Sequence, residues 1–263
     1  VLAFVLGIGL SKIKNSAMLK VAEEFNQIVL MIVTNVLIPL VPIYIGCVFA
    51  KLSYSGEIFN TLKSFGIVYV LLFALQLTYI CIQYCIAGAI KKQNPFKLIK
   101  NMVPAYMTAV GTQSSAATIP VTLQCVKKND VNEEVLDFVV PLGATIHLAG
   151  DTITLVLTSM AVMYMNGQTP TFGMIMPFIF MLGVTMVAAP GVPGGGVMAA
   201  LGLLESMLGF GAIEKPIMIA LHAAQDSFGT ATNVTGDGAI AILVDYIINK
   251  KKGNSISKED KII

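Results

Sequence analysis

Residues 167–204 read GQTPTFGMIMPFIFMLGVTMVAAPGVPGGGVMAALGLL and carry no charged side chain. The run is longer than the ~20 residues that one helix needs to cross a bilayer. Its centre, Pro190–Gly196, is rich in proline and glycine. Irregular backbone of that kind is too costly against lipid, because its amides would have no hydrogen-bond partner. The stretch therefore predicts two short helices joined by a tip that faces protein or water, a re-entrant hairpin over 172–208.

A second stretch, residues 101–126, has the same plan. It is apolar at both ends and polar in the middle, where residues 111–120 read GTQSSAATIP, so we predict a second re-entrant hairpin there. Each hairpin precedes a long apolar segment, 135–165 or 216–249, that polar residues interrupt. The two interruptions read HLAGD at 147–151 and NVTGD at 233–237. Two broken transmembrane helices in a repeated order of hairpin and broken helix are typical of transporters built from inverted repeats.

The composition places the rest of the chain in a bilayer as well. Hydrophobic residues make up 56% and charged residues only 12% of the sequence, too few charges to cover a soluble surface. Uncharged runs at 25–50 and 65–90 predict two further transmembrane helices. The apolar run 1–10 is too short to span and is interpreted as the end of a truncated transmembrane helix, and the polar residues 250–263 predict a disordered cytoplasmic tail. The sequence thus predicts an all-α membrane protein in contact with lipid, and nothing in it favours nucleic-acid binding.

The lysines predict the orientation. All 17 basic residues are lysines, and most of them cluster at 12–20, 91–100, 127–128 and 250–252. These clusters fall on one side of the membrane if the hairpin at 101–126 enters and returns. By the positive-inside rule that side is cytoplasmic. We therefore expect a multi-pass protein of the cell membrane, a bacterial inner membrane, with the first hairpin opening to the cytoplasm and the second to the outside.

Several polar residues inside these spans are candidates for function. Asp151, Asp226 and Asp237 lie mid-span, where an unpaired charge costs roughly 2.5–3.5 kcal/mol, so they either mark an ion or substrate path or link broken helices inside the bundle. For His147 the sequence leaves open a packing residue, a proton site and a substrate contact. The Ser114-Ser115 pair either closes its hairpin through bonds to the backbone or opens a carboxylate site at a helix start.

Four motifs point to one family in this order along the chain. They are QSSAATIPVT at 113–122, PLGATIH at 141–147, GVPGGG at 191–196, and Asp226 followed by Thr230 and the NVTGD of 233–237. Together they resemble the dicarboxylate/amino acid:cation symporter family, which has the glutamate-transporter fold, over essentially the whole chain. The resemblance implies a secondary active amino-acid symporter, not an enzyme, that moves by an elevator mechanism. It also implies that amino-terminal spans, which complete the scaffold and the contacts of a homotrimer, are missing before residue 1.

The resemblance also implies roles for matching positions. Asp226 would bind the substrate ammonium and Asn233 its α-carboxylate, while Ser115 and the loop 191–196 close over the substrate from opposite sides. Asp237 and carbonyls around Gly143 and His147 would hold one sodium ion, and the Thr145 carbonyl with residues 187–189 another. The expected substrate-binding residues are Ser114, Ser115, Asp151, Gly191, Val192, Gly196, Asp226, Gly229, Thr230 and Asn233, and the expected metal-binding residues are Gly143, Thr145, His147, Asn233 and Asp237.

Departures from the family pattern bear on the substrate. Gly229 stands where members selective for acidic amino acids have an arginine, and Asp151 replaces the threonine of an Asn-Met-Asp-Gly-Thr break; both disfavour an acidic substrate. His147 for asparagine and Ala149 for aspartate remove ligands of a sodium site. The alanine and the QDS run at 225–227 are similar to the serine/threonine symporter branch. We therefore predict a neutral amino acid coupled to sodium; the alternative is a cationic or polar amino acid, or another carboxylate, with proton coupling.

Two other kinds of protein are compatible with parts of the sequence. An intramembrane aspartyl protease would use Asp151 and Asp237 as a proton-sharing dyad, but neither break reads Gly-x-Gly-Asp and the two hairpin tips would have no purpose. The other reading is a structural half-domain without transport activity.

Overall fold

The computed structural model describes residues 58–191 and 193–259 without interruption, residues 17–32, and single residues or short groups within 9–13 and 35–54. The described residues form helices and contain no strand, which confirms the all-α prediction. In chain order the helices are α1 (Ala17–Ile32), α2 (Ile58–Lys91), α3 (Pro95–Thr112), α4 (Ser115–Lys127), α5 (Glu133–Ile146), α6 (Ala149–Met165), α7 (Phe172–Met186), α8 (Gly195–Leu208) and α9 (Glu214–Glu259).

The chain divides into two compact units, Val1–Lys51 and Leu52–Ile263. In the first unit α1 is the one helix of more than two residues that the structure describes. The predicted helix end at 1–10 and much of the predicted span 25–50 lie outside the described residues. The second unit holds α2 to α9 and every candidate site residue that the structure describes.

Three helical stretches of the described chain are long and apolar enough to cross a membrane. They are Phe65–Lys91, Glu133–Met165 and Glu214–Lys250, and they coincide with the predicted segments 65–90, 135–165 and 216–249. The helices α7 and α8 are apolar but shorter. At 1.5 Å per residue, their 15 and 14 residues extend over about 22 Å each.

Helix α9 is the central element of the second unit and packs against α2, α3, α4, α5, α6 and α8. Its two halves belong to different apolar clusters. One cluster includes Tyr84, Met102 and Ile242, and the other includes Phe178 and Met218. Because lipid is as apolar as these side chains, such helices associate through close packing and hydrogen bonds rather than through the hydrophobic effect.

The helices α3 and α4 form an antiparallel hairpin whose open end lies beside the end of α2. There the Asn101 side chain donates to the Lys128 carbonyl at 3.1 Å, and the Lys91 ammonium donates to the Asn129 carbonyl at 2.6 Å. The same end of the unit holds Asp245 of α9, which accepts a bond from the Asn132 backbone. The first hairpin thus opens at the lysine-rich end of the unit.

The helices α7 and α8 form a second hairpin that opens at the other end, beside the start of α9. Here the Asn166 side chain donates to Glu214 at 3.0 Å, and Lys215 pairs with Glu205 at 2.8 Å. The tips of the two hairpins meet in between, where the Ser114 hydroxyl donates to the Gly191 carbonyl at 2.8 Å. Two hairpins therefore enter the unit from opposite ends and touch at its centre.

The helix interruption predicted at 147–151 is observed at residues 147 and 148. Helix α5 ends at Ile146 and α6 begins at Ala149, with His147 at ψ 87° and Leu148 at ψ 47° between them. The break leaves carbonyls at the end of α5 and amides at the start of α6 without helical partners. One of these groups, the Gly150 amide, bonds instead to the Asn233 side chain of α9.

The predicted break at 233–237 is wrong, because α9 runs without interruption from Glu214 to Glu259. The glycines there serve close packing: a Cβ added to Gly238 would lie 2.6 Å from the Tyr84 hydroxyl oxygen. That hydroxyl also donates to the Thr235 carbonyl at 2.8 Å, which fastens the helix at this point. The two polar motifs are therefore not structurally equivalent. Helix α9 also continues through residues 250–259, part of the stretch that the sequence predicts as a disordered tail.

Candidate functional site

A small cavity at the centre of the second unit joins both hairpin tips, the interruption between α5 and α6, and helix α9. Its volume is about 10 Å³, room for about one water molecule. It is lined by Gln113, Ser115, Leu148, Asp151, Pro190, Gly191, Gly196, Asp226, Thr230 and Asn233. A solute of amino-acid size enters this space only if the tips separate.

Three helices begin at this cavity. Ser115 is the first residue of α4, Asp151 the third of α6 and Gly196 the second of α8. The first amides of a helix have no partner within it and carry the positive end of the helix dipole. Three such ends around one cavity make it a place where a carboxylate is stabilised.

One of these helix starts already has a carboxylate from the protein. Asp226 accepts a hydrogen bond from the Gly194 amide at 2.7 Å and a long one from the Thr230 hydroxyl at 3.5 Å. Gly194 has φ +74°, a conformation that glycine adopts without steric cost, and it lies just before α8. The carboxylate of Asp226 is thereby connected directly to the tip of the second hairpin.

Asp151 lies at the centre of a buried polar network. Its Oδ2 accepts a bond of 2.6 Å from the Asn233 amide, and its Oδ1 lies 2.9 Å from Nε2 of His222. The side-chain oxygen of Asn233, Oδ1, in turn accepts a hydrogen bond from the backbone amide of Gly150 at 2.7 Å. These contacts join the start of α6 to α9. Gly150 allows the approach of the two helices, since a Cβ added there would lie 2.9 Å from the carbonyl carbon of Gly229.

The first hairpin tip is held by one local hydrogen bond and by two bonds to distant parts of the chain. The Ser114 hydroxyl caps α4 by accepting from the Ala117 amide at 3.3 Å while it donates to the Gly191 carbonyl. The Gln113 side chain donates to the Ser227 hydroxyl of α9 at 2.9 Å. Ser114 thus closes the tip, as one of the two interpretations of the serine pair expects, and Ser115 lines the cavity. That the pair also opens a carboxylate site stays a prediction.

A second polar centre surrounds Asp237, one helical turn beyond Asn233. Asp237 Oδ1 lies 2.9 Å from Nδ1 of His147, and the other ring nitrogen of His147 lies 3.3 Å from the Tyr79 hydroxyl. A Cβ added to Gly143 would lie 2.7 Å from the Asp237 carboxyl carbon. Carboxylate and carbonyl oxygens at the negative end of α5 suit a hard cation.

The residues expected at the substrate site converge, with three qualifications. Seven of them line the cavity, Ser114 and Gly229 border it, and Val192 lies outside the described residues. Of the residues expected to bind metal, Gly143, His147 and Asp237 come together. Asn233 is bonded instead to Gly150 and Asp151, and the exposed Thr145 side chain donates to the Leu142 carbonyl.

Two residues of the site, His222 and Gln113, are not among the predicted site residues. His222 lies one turn before Asp226 on the polar face of α9, whose members recur every three or four residues. They are His222, Asp226, Thr230, Asn233 and Asp237. That spacing is the signal from which His222 could have been found, because a histidine on the buried face of a membrane helix is a functional candidate.

These features define a class of protein. Helices able to span a membrane surround a small polar cavity, and two hairpins of opposite direction meet beside it. Sites formed where hairpins and interrupted helices meet within a membrane domain are typical of the class of secondary transporters.

Comparison with known proteins agrees with this class. The sequence profile of the sodium:dicarboxylate symporter family matches residues 1–247, and the chain belongs to that family. It is 30% identical over 182 residues to excitatory amino acid transporter 1 of Ambystoma tigrinum, covering 66% of this chain and 33% of that protein. It is 29% identical over 174 residues to the human neutral amino acid transporter A, covering 65% and 32%. The chain thus spans about a third of the length of the curated relatives that it matches.

Proposed function

We propose that the chain forms the substrate-carrying part of a secondary symporter for neutral amino acids such as serine and threonine, coupled to sodium. The observation that carries the proposal is the shared cavity, which combines two buried carboxylates, Asp151 and Asp226, with three helix starts. A zwitterionic amino acid needs both, an acceptor for its ammonium and donors for its carboxylate. The names of the relatives, excitatory and neutral amino acid transporters, support an amino acid as the substrate.

In this proposal Asp226 receives the ammonium group and the amides at the starts of α4 and α8 receive the carboxylate. Asn233 adds a donor, since its amide nitrogen has a second hydrogen beyond the one directed at Asp151. Ammonium binding at Asp226 acts on the second hairpin, because the same carboxylate holds the Gly194 amide. Substrate binding and closure of that hairpin thereby favour each other.

The residues around the substrate side chain favour a neutral one. Asp151 puts a carboxylate beside Gly229, where a glutamate or aspartate side chain would meet a like charge. All 17 basic residues of the chain are lysines, so no guanidinium offers the two parallel bonds that suit a carboxylate. A hydroxyl side chain donates to Asp151 without this penalty.

Sodium would bind at the Asp237 centre as a co-transported ion, with Gly143 and the free carbonyls after it as neighbouring oxygen donors. A Cβ added to Gly191 would lie 2.9 Å from the Ala144 carbonyl oxygen, so this centre adjoins the second hairpin tip. The pairing of His147 with Asp237 favours a second candidate, proton coupling, in which His147 carries the positive charge.

The movement in this proposal follows from the tip contacts. The two hairpins re-enter the membrane and act as gates from opposite sides, and the whole unit moves in an elevator manner within a homotrimer of the cell membrane. The short helices and the meeting of the tips support re-entrance. Proteolysis by an aspartyl dyad finds no support in the contacts, because Asp151 is bonded to His222 and Asn233 whereas Asp237 is paired with His147.

Uptake by the full-length transporter in liposomes tests the proposal. We expect serine uptake driven by a sodium gradient, competed by threonine and not by aspartate. Asp226→Asn should abolish uptake, whereas Asp245→Asn, a buried aspartate at the lysine-rich end of the unit, should retain it. Aspartate uptake that outcompetes serine refutes the neutral substrate, and uptake driven by a pH gradient but not by sodium, and lost in His147→Asn, replaces sodium with the proton.

A further inference from the structure

The cluster of Asp151, His222 and Asp226 contains a group that amino-acid recognition does not need, the imidazole. One ligand atom from each of the three residues lies within 4.8 Å of the others. The side chains are deeply buried, with exposed fractions of 3%, 1% and 5%. Two of them come from α9, one turn apart, and the third comes from the start of α6.

His222 has a nitrogen with no partner. Its Nε2 faces Asp151 at 2.9 Å, while its Nδ1 is buried and bonded to nothing in the part of the chain that the structure describes. A neutral imidazole carries one lone pair, on Nδ1 if Nε2 donates to Asp151 and on Nε2 in the other tautomer. A buried ring nitrogen without a partner costs free energy, and this imidazole places a ring nitrogen within 4.8 Å of a carboxylate oxygen of both aspartates.

The charge of the cluster favours a cation as well. Asp151 and Asp226 both line the cavity, and within the described residues the lysine ion pairs, Lys127–Glu133 and Lys215–Glu205, lie at the ends of the unit. Two carboxylates in a medium of low dielectric constant attract a dication strongly. A monovalent ion would leave one of them uncompensated.

We propose that Asp151, His222 and Asp226 form a binding site for a divalent transition-metal cation, with Zn²⁺ as the best match. One imidazole nitrogen and two carboxylate oxygens are a ligand set that Zn²⁺ accepts, and three protein ligands leave a fourth position open toward the cavity. Bonds of about 2.1 Å place ligand atoms of a tetrahedral site about 3.4 Å apart. A pair at the 4.8 Å limit would therefore close by about 1.4 Å, and the His222–Asp151 pair at 2.9 Å would open by about 0.5 Å, both small side-chain movements.

The site has a consequence for transport that rests on the proposed function. Zn²⁺ and the substrate ammonium both require Asp226, so the metal competes with the amino acid. Binding of Zn²⁺ to the protein, in contrast, does not depend on which solute is transported. A direct binding measurement and an uptake measurement therefore separate the two proposals.

Titration calorimetry of the full-length protein with Zn²⁺ tests the site, and the chain's own histidines provide the matched pair. The chain has two histidines, so His222→Gln and His147→Gln remove one imidazole each. Because loss of an outer-sphere partner costs about 10–100-fold in metal affinity, loss of the His222 ligand should weaken Zn²⁺ binding by more than about 100-fold. His147→Gln should bind as the wild type does.

Equal affinity of wild type and His222→Gln, or equal weakening in both variants, overturns the proposal. X-ray absorption of Zn²⁺ bound to His147→Gln gives a measurement that does not require the His222 variant to fold. We expect scattering from one imidazole ring and from carboxylate oxygens, and a spectrum without imidazole overturns the site. If the metal binds as expected but does not reduce serine uptake, the site holds and the substrate assignment of Asp226 fails.

Discussion

Removing the Ser114 hydroxyl should loosen the contact between the hairpin tips. In Ser114→Ala the Gly191 carbonyl loses its donor at 2.8 Å, and α4 loses its cap on the Ala117 amide. One such hydrogen bond contributes about 0.5–1.5 kcal/mol net. The equilibrium constant for separation of the tips should therefore rise by about 2–13-fold.

This change is large enough to observe. If the separated state is populated at about 5%, within the usual range for a minor state, the variant should populate it at about 10–40%. The cap contributes in addition about 1 kcal/mol to folding, so thermal stability should fall as well. The two effects are distinguished because only tip separation changes a distance between the hairpins.

Pulsed electron–electron double resonance between two spin labels measures the distance between the hairpins in the full-length protein. Met107 on α3 and Val184 on α7 are exposed and serve as positions for spin labels. We expect a longer second distance in Ser114→Ala and the wild-type distribution in Ser114→Thr, which keeps the hydroxyl. A wild-type distribution in Ser114→Ala, together with reduced thermal stability, would show that Ser114 acts only as a cap and would refute the tip contact.

Three other substitutions test separate parts of the structure. Gly143→Ala places a methyl group against the carboxylate of Asp237 and should weaken sodium-dependent serine binding severalfold, measured by isothermal titration calorimetry at varied sodium concentration. An unchanged sodium dependence contradicts the ion assignment. Tyr84→Phe removes the bond to the Thr235 carbonyl and should lower stability by about 0.5–1.5 kcal/mol in thermal unfolding, with no change if that bond is unimportant. Glu133 raises the pKa of the exposed Lys127 through a hydrogen bond and its charge. The pair therefore stabilises the folded state fully at pH values below the ordinary lysine pKa, and this contribution is lost as the pH rises through the raised pKa. Because exposed ion pairs contribute little, Lys127→Ala should leave the melting temperature unchanged.

The parts of the fold that depend on local composition could be predicted from the sequence. The apolar runs and the polar tips predicted where helices begin, end and turn, and the interruption after Ile146 follows its polar motif. The same reasoning failed at 233–237. A glycine within a helical sequence can either break the helix or allow close packing of another element, and the sequence does not distinguish the two. At Gly238 the neighbour is the Tyr84 hydroxyl, more than 150 residues away in the chain.

The candidate site, too, could be predicted from the sequence only in part. By itself, the sequence determined an all-α membrane protein with buried acids at Asp151, Asp226 and Asp237, because hydropathy, charge and turn residues act over a few neighbours. Only the tertiary structure decided their partners: His222 with Asp151 across 71 positions, and His147 with Asp237 across 90. It also decided that three helix starts share one cavity. Such pairings follow from how helices pack in three dimensions, which no local pattern specifies.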